Sequence, residues 1–185
     1  MKAIRLTVLF LTFTVFALQT FAQVYTTQSA TLSFFSAARL ENIEGTSKDG
    51  GVVLNTASNE ILVKVTISTF EFKNGLMQEH FNETYLESVK YPTAQFSGHI
   101  NEKINYATPG AYPVTVTGTL TIHGVSVPRT ISGKISITSS GIGFTSLFVV
   151  PVSAHKIYIP NDKISNIAQD IKVSIQADCT PYVKK

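Results

Sequence analysis

An all-β fold of about eight antiparallel strands with one helix, closed into a barrel or stacked as a sandwich, is what this sequence predicts. Three observations carry that expectation. Apolar residues recur with a period of two along most of the chain, which puts them on one face of a strand. Glycine-bearing turn signals punctuate those runs. A single stretch, about residues 75–89, has instead the spacing of an amphipathic helix. Closure is favoured because each long strand carries a polar Thr, Ser or Lys face, and a closed sheet leaves no unpaired edge. The 185 residues suit one domain, and 44% hydrophobic with 15% charged content lies far from a disordered composition.

Residues 1–22 read as a secretory leader to be cut before Gln23, leaving 23–185 as the single domain. Lys2 and Arg5 open it, Leu6 to Leu18 form an apolar run, and Thr20 and Ala22 place small residues at the cut. That run falls short of the roughly 20 residues a membrane-spanning helix needs, so no integral membrane segment is expected once the leader is gone. Without Lys2 and Arg5 the 15 basic residues come close to the 12 acidic ones, and Lys184-Lys185 is the one basic pair left at an end. That balance argues against a nucleic-acid partner or an anionic membrane surface. Cys179 is alone, so an intramolecular disulfide is excluded and a buried or merely tolerated thiol is expected.

In order along the chain, Ala30–Ser36 and Gly51–Leu54 are short strand candidates. Ile61, Val63, Val65 and Ile67 alternate with polar neighbours as a strand with one apolar face. The helix of 75–89 carries Leu76, Met77, His80, Phe81, Tyr85 and Val89 on one side, with Glu79, Glu83 and Glu87 elsewhere, and Pro92 stops it. Pro92–Ile100 is a further strand. Tyr112, Val114, Val116, Gly118, Leu120 and Ile122 alternate with Pro113 and four threonines, the cleanest strand in the sequence. Ile131, Gly133, Ile135 and Ile137 follow, then Phe144, Ser146, Phe148 and Val150, a short helical turn near 164–170, and Ile171, Val173, Ile175 and Ala177.

Asp49-Gly50-Gly51, Pro109-Gly110 and Ser139-Ser140-Gly141 are expected turns, because glycine tolerates positive φ. His123-Gly124 fits a two-residue hairpin loop, which sets a register: Ile122 faces Val125, Leu120 faces Val127, Val116 faces Ile131 and Tyr112 faces Ile135. Pro128 has no N–H to give the ladder, so a bulge is expected there that turns Arg129 outward.

Chemistry-bearing residues are sparse. His80, His99, His123 and His155 lack any spacing that aims two imidazoles at one metal. No nucleophile elbow, paired-carboxylate motif or glycine-rich phosphate loop is present. The expectation is therefore a non-enzyme with no catalytic residue, no metal and no cofactor. Asn82-Glu83-Thr84 matches a glycosylation sequon, a short pattern that recurs by chance. What the chain has in quantity is apolar inward surface. A barrel of about eight strands either fills with its own side chains or holds one small apolar ligand. Gly98, Gly118 and Gly133 would either leave a channel open or mark bends.

Three runs carry a resemblance. They are the helix and its exit (Met77-Gln78-Glu79-His80-Phe81-Asn82-Glu83-Thr84-Tyr85-Leu86-Glu87-Ser88), then Lys90-Tyr91-Pro92-Thr93-Ala94-Gln95-Phe96-Ser97, then Val116-Thr117-Gly118-Thr119-Leu120-Thr121-Ile122-His123-Gly124-Val125. In order and spacing the segment Phe72–Val127 resembles the YceI-like family of secreted bacterial polyisoprenoid-binding proteins. Near the C-terminus Ala154-His155-Lys156-Ile157 departs from the family's acidic turn. The resemblance implies an antiparallel eight-stranded, lipocalin-like barrel with one capping helix, periplasmic or secreted, holding an isoprenoid or other long-chain lipid for transport, storage or sequestration. On that reading the cavity lining is Phe34, Phe70, Phe72, Met77, Phe81, Tyr85, Phe96, Val116, Leu120, Ile122, Ile135, Phe144 and Phe148, with His80 or His155 at a polar mouth. A second copy of the chain is a candidate partner. The alternative is a structural or protein-interaction barrel of the cell envelope with a filled core, and an enzyme would need two of the histidines to converge.

Overall fold

The computed structural model describes residues 24–183; the expected leader and its cut lie outside the described residues. The strands are β1 (Val24–Ala37), β2 (Asn42–Asn55), β3 (Glu60–Thr66), β4 (Glu71–Phe72), β5 (Thr93–Ile100), β6 (Gly110–Ile122), β7 (Val125–Ile137), β8 (Ile142–Pro151) and β9 (Asp170–Pro181). Eight of them pair antiparallel in the ring β1-β9-β8-β7-β6-β5-β3-β2, which β1 closes by pairing with β2. β4 has two residues and pairs with β2 at Gly45 and Thr46. Each predicted strand has its counterpart, and the closed barrel replaces the sandwich alternative. Among the described residues one α-helix, α1 (Gly75–His80), lies in the long connection from β4 to β5.

The hairpin β6–β7 has the expected register at all four pairs, from Ile122↔Val125 to Tyr112↔Ile135. His123 and Gly124 both have positive φ, 53° and 71°, as a two-residue loop matched to the strand twist requires. The expected bulge at Pro128 is absent, since Thr119↔Pro128 and Gly118↔Arg129 continue the ladder unbroken. Counting from the loop, Thr119↔Pro128 is a pair whose backbone N–H groups point away from each other. The missing N–H of Pro128 thus falls on the outer side of β7, where β8 does not pair, because the β7–β8 ladder runs only from Gly133↔Ser146 to Ile137↔Ile142. Arg129 keeps the parity of Val127 and Ile131, half-buried, and its guanidinium donates to the Val149 carbonyl at 2.6 Å across that gap.

One expectation at the first hairpin is overturned. Asp49-Gly50-Gly51 is no turn; it lies inside β2, which is 14 residues long. The register steps from Thr27↔Val52 to Ala30↔Gly50 and then to Leu32↔Ser47, so β1 and β2 each carry one extra residue. A Cβ at Gly50 would stand 2.2 Å from Leu32 Cδ1 and 2.8 Å from the Ala30 carbonyl oxygen, so glycine here serves the close crossing. Nor do the interior glycines open a channel. A Cβ on Gly118 would meet the Ser97 carbonyl at 2.2 Å, and one on Gly98 the Thr117 carbonyl at 2.8 Å; these residues let backbones approach.

The helix is shorter than 75–89. Asn74 caps α1 by accepting from the Leu76 N–H at 2.9 Å, and after His80 the chain widens into a π-helical turn, Phe81–Tyr85. Glu87 then takes φ 43°, and Val89, expected on the apolar face, is 99% exposed. The expected turn near 164–170 stands slightly earlier, as a 3₁₀ segment at Asn161–Lys163. Cys179 is buried on β9, and burial, aided by Asp178, pushes its thiol up to about 11.

Candidate apolar cavity

The two ends of the barrel differ. At the end where β6 starts and β7 stops, side chains fill the centre. Ile61, Phe96, Val116, Ile131, Phe144, Ser146 and Ile175 surround a void of only about 10 Å³, which is no room for a hydrocarbon. Ile135 belongs to the same packed floor and is fully buried. The connection 101–109 covers this end, where the Tyr106 hydroxyl donates to Asn59 Oδ1 at 3.0 Å and burial pushes the phenol up to about 12.

At the other end the barrel holds a cavity of about 420 Å³, inside the roughly 300–1,000 Å³ typical of small-molecule sites. Parity along the strands sets its wall. Leu32 and Phe34 come from β1, Val63 and Val65 from β3, Ala94 and Phe96 from β5, Leu120 and Ile122 from β6, Phe148 and Val150 from β8, and Val173 and Ile175 from β9. The chain after β3 folds over the top: Phe70, Phe72, Met77, Phe81, Tyr85 and Leu86 face the same space.

Four phenylalanines form one wall. Phe81 stacks on Phe34 at 5.1 Å between centroids and 12° between planes, and Phe70 and Phe72 lie 5.0–5.7 Å from one or both in tilted or edge-on arrangements. Such geometry contributes beyond burial alone, by roughly 0.5–1.5 kcal/mol per pair. Gly45 makes it fit, because a Cβ there would lie 2.6 Å from the Phe34 ring. The lid is fastened by the Phe72 N–H donating to Gln78 Oε1 at 3.3 Å and, past the π turn, by His123 Nε2 against Glu87 Oε2 at 2.6 Å. Tyr91 packs edge-on to His123 at 4.4 Å.

Of the residues expected to line a cavity, the structure brings together Phe34, Phe70, Phe72, Met77, Phe81, Tyr85, Phe96, Leu120, Ile122 and Phe148. Val116, Ile135 and Phe144 are inward but stand in the packed floor, because parity selects a side of the strand and not a height along the barrel. His80 is at the mouth with Glu41, Asn74, Lys163 and Asn166. His155 is not. It is fully buried in the 3₁₀ turn Val152–His155, where its Nδ1–H donates to the Val125 carbonyl at 3.0 Å and fastens that turn to the unpaired edge of β7. His99 lies exposed on β5 and His123 in the hairpin loop, so the four histidines do not share one cleft. Sequence reasoning missed Ile157, Ile159 and Ile167, which reach the cavity from the 152–169 connection. The alternation Ile157-Tyr158-Ile159 was the available signal, in a stretch with no other strand character.

The burial of His155 lowers its pKa below the usual histidine value; the Arg129 charge adds to this, and the Val125 and Ile122 carbonyls oppose it. The unfolded chain, titrating near 6.5, therefore binds its proton first as pH falls, and stability drops from about pH 6.5 downward until the folded value is passed. Urea midpoints at about pH 7.5 and 5 should show this loss in the unchanged chain and a smaller loss in His155→Gln. Equal losses would assign the acid sensitivity to other groups.

The family model described as the YceI-like domain matches residues 20–179. No curated protein matches the chain. Among solved structures, the fold is similar to that of a polyisoprenoid binding domain from Saccharophagus degradans implicated in plant cell wall breakdown. It has a TM-score of 0.73 at 11% identity over 87% of this chain and 99% of that one. BcnA of Burkholderia cenocepacia gives 0.66 at 17% identity, covering 80% and 94%. The YCEI protein of Campylobacter jejuni gives 0.64 at 22%, covering 80% and 90%.

Proposed function

The chain belongs to the YceI-like family, and from that premise we propose that it is a binding protein that holds a long apolar ligand, a polyisoprenoid or a fatty amphiphile, inside its barrel. The 420 Å³ apolar cavity under the phenylalanine lid is the observation that carries this reading. A side-chain-filled barrel needs a packed centre, and only the floor is packed. Transfer of each methylene from water to that wall contributes roughly 0.8 kcal/mol, so a chain binds without directed polar contacts. Specificity among similar chains is correspondingly loose. The description of the Saccharophagus neighbour as a polyisoprenoid binding domain supports the ligand class.

The floor fixes polarity. Phe96, Val116 and Phe144 block passage along the axis, and the polar groups His80, Glu41, Lys163 and Asn166 cluster at the mouth. The apolar end of the ligand enters first, its head group stays with His80 and Lys163, and any excess chain runs out through the mouth. The reading of residues 1–22 as a secretory leader supports a periplasmic or secreted carrier that transports, stores or sequesters its lipid. Solvent extraction and native mass spectrometry of the full chain, expressed with its leader, are expected to recover one isoprenoid or acyl species per barrel. Repeated recovery of an empty barrel that also fails to take up the fluorophore N-phenylnaphthylamine would remove the proposal.

A further inference from the structure

The connections at the cavity end carry exposed apolar side chains that packing in the core does not explain. Leu40 sits in the β1–β2 loop, Leu76 at the start of α1, Val89 after the lid, Tyr158 and Ile164 in the connection from β8 to β9. Leu40, Val89 and Tyr158 are 69%, 99% and 74% exposed. Leu76 also lines the mouth itself, and the Leu40 N–H donates to the Ser165 carbonyl at 2.9 Å, which sets Leu40 beside the mouth-lining Lys163, Asn166 and Ile167. The turns at the opposite end, 56–59, 101–109 and 138–141, carry no exposed large apolar residue; Tyr182 and Val183 of the C-terminal tail are the ones found there.

We infer that this end of the barrel docks on the surface of a lipid bilayer with electrically neutral head groups and exchanges ligand there. The inference rests on the lipid-binding reading above and extends it to the place of loading. Exposed apolar groups gathered at one end of a barrel mark an interaction surface, and one of them, Leu76, also lines the cavity. A hydrocarbon moving from the membrane past the rim is spared a passage through water. Charge selects the kind of membrane. Lys163 lies 3.4 Å from Asp162 and Lys90 3.8 Å from Glu87, and Arg39 is close in sequence to Glu41. Lys73 and Lys156 add two basic groups at this end and Glu79 and Glu83 of the lid two acidic ones, so the charges balance and the cationic field that would draw the barrel to anionic lipid is missing.

Flotation of the protein with phosphatidylcholine vesicles tests this, with N-phenylnaphthylamine uptake measured on the same preparations. The unchanged chain should float with the vesicles equally at low and high salt. The variant Leu40→Ser/Val89→Ser/Ile164→Ser should partition roughly tenfold less or lower still, as loss of several membrane-buried apolar groups requires, while taking up the fluorophore normally. Val89→Ser alone, at a fully exposed site, gives part of the effect without risk to the fold. Leu147→Ser/Val149→Ser, exposed on β8 outside the rim, should float like the unchanged chain. No flotation on phosphatidylcholine, binding only to anionic vesicles and lost in salt, or an equal effect of the β8 pair overturns the docking inference. Failure of fluorophore uptake by the unchanged chain, with flotation intact, overturns the carrier reading instead.

Discussion

Ala94→Trp is expected to weaken ligand binding roughly a hundredfold while leaving the barrel at least as stable as before. Ala94 stands on β5 opposite Val65 and opens directly onto the cavity. An indole there occupies the space of roughly three or four ligand methylenes, and at about 0.8 kcal/mol each the loss comes to about 3 kcal/mol, or roughly a hundredfold in affinity. The same ring fills empty volume, so the sign on stability is opposite: new apolar contacts form where there were none. The pairing of outcomes makes the experiment decisive. Fluorophore titration should show the affinity loss, and thermal unfolding of lipid-free protein should show a Tm unchanged or raised. A variant that binds as well as the unchanged chain would place the ligand outside this cavity.

How much of this was legible beforehand depends on which physical signal each residue carries. Period-two alternation and the His123-Gly124 loop sufficed for the eight strands and for the β6–β7 register, because a one-residue slip would have turned Leu120 and Ile135 outward. The strands β1 and β2 are longer than their sequence pattern suggests. Their bulges shift the inward parity midway, and Asp49-Gly50-Gly51 has turn composition while serving a close crossing over Leu32 and Ala30. Helical spacing extends to Val89, but a π turn adds a residue to the ring at Phe81–Tyr85 and breaks that spacing.

The site follows the same division. Parity could select the inward set, and ten members of the expected lining do share the cavity, but Val116, Ile135 and Phe144 are equally inward and fill the floor. Height along a barrel is a property of strand stagger and of ring volumes meeting across the axis, and no single strand records it. His155 shows the limit from the polar side. Nothing in its neighbours announces that a 3₁₀ turn will bury it against the free edge of β7, where a polar group that bonds the Val125 carbonyl is needed.

Gly118→Ala is expected to cost more stability than any other single methyl added at the β5–β6 pairing. Gly118 pairs with Gly98, and a Cβ there would lie 2.2 Å from the Ser97 carbonyl oxygen and 2.5 Å from the Gly98 Cα. Both neighbours are backbone, so relief requires the strands to part. That opens hydrogen bonds on both sides of the pair and tilts Phe96 and Leu120, which flank it and which form the boundary between floor and cavity. A loss of about 3 kcal/mol, the upper part of the overpacking range, is expected as a lower denaturation midpoint. Because the cavity base moves with the strands, fluorophore affinity should fall in the molecules that still fold. Gly75→Ala is the matched comparison. Nothing lies within 4 Å of a Cβ at Gly75, at the first turn of α1, so the same methyl should stabilise by roughly 0.4–1 kcal/mol through the unfolded chain. Equal and small effects at the two sites would mean that the Gly98–Gly118 crossing relaxes freely, and that the floor of the cavity is softer than its packing implies.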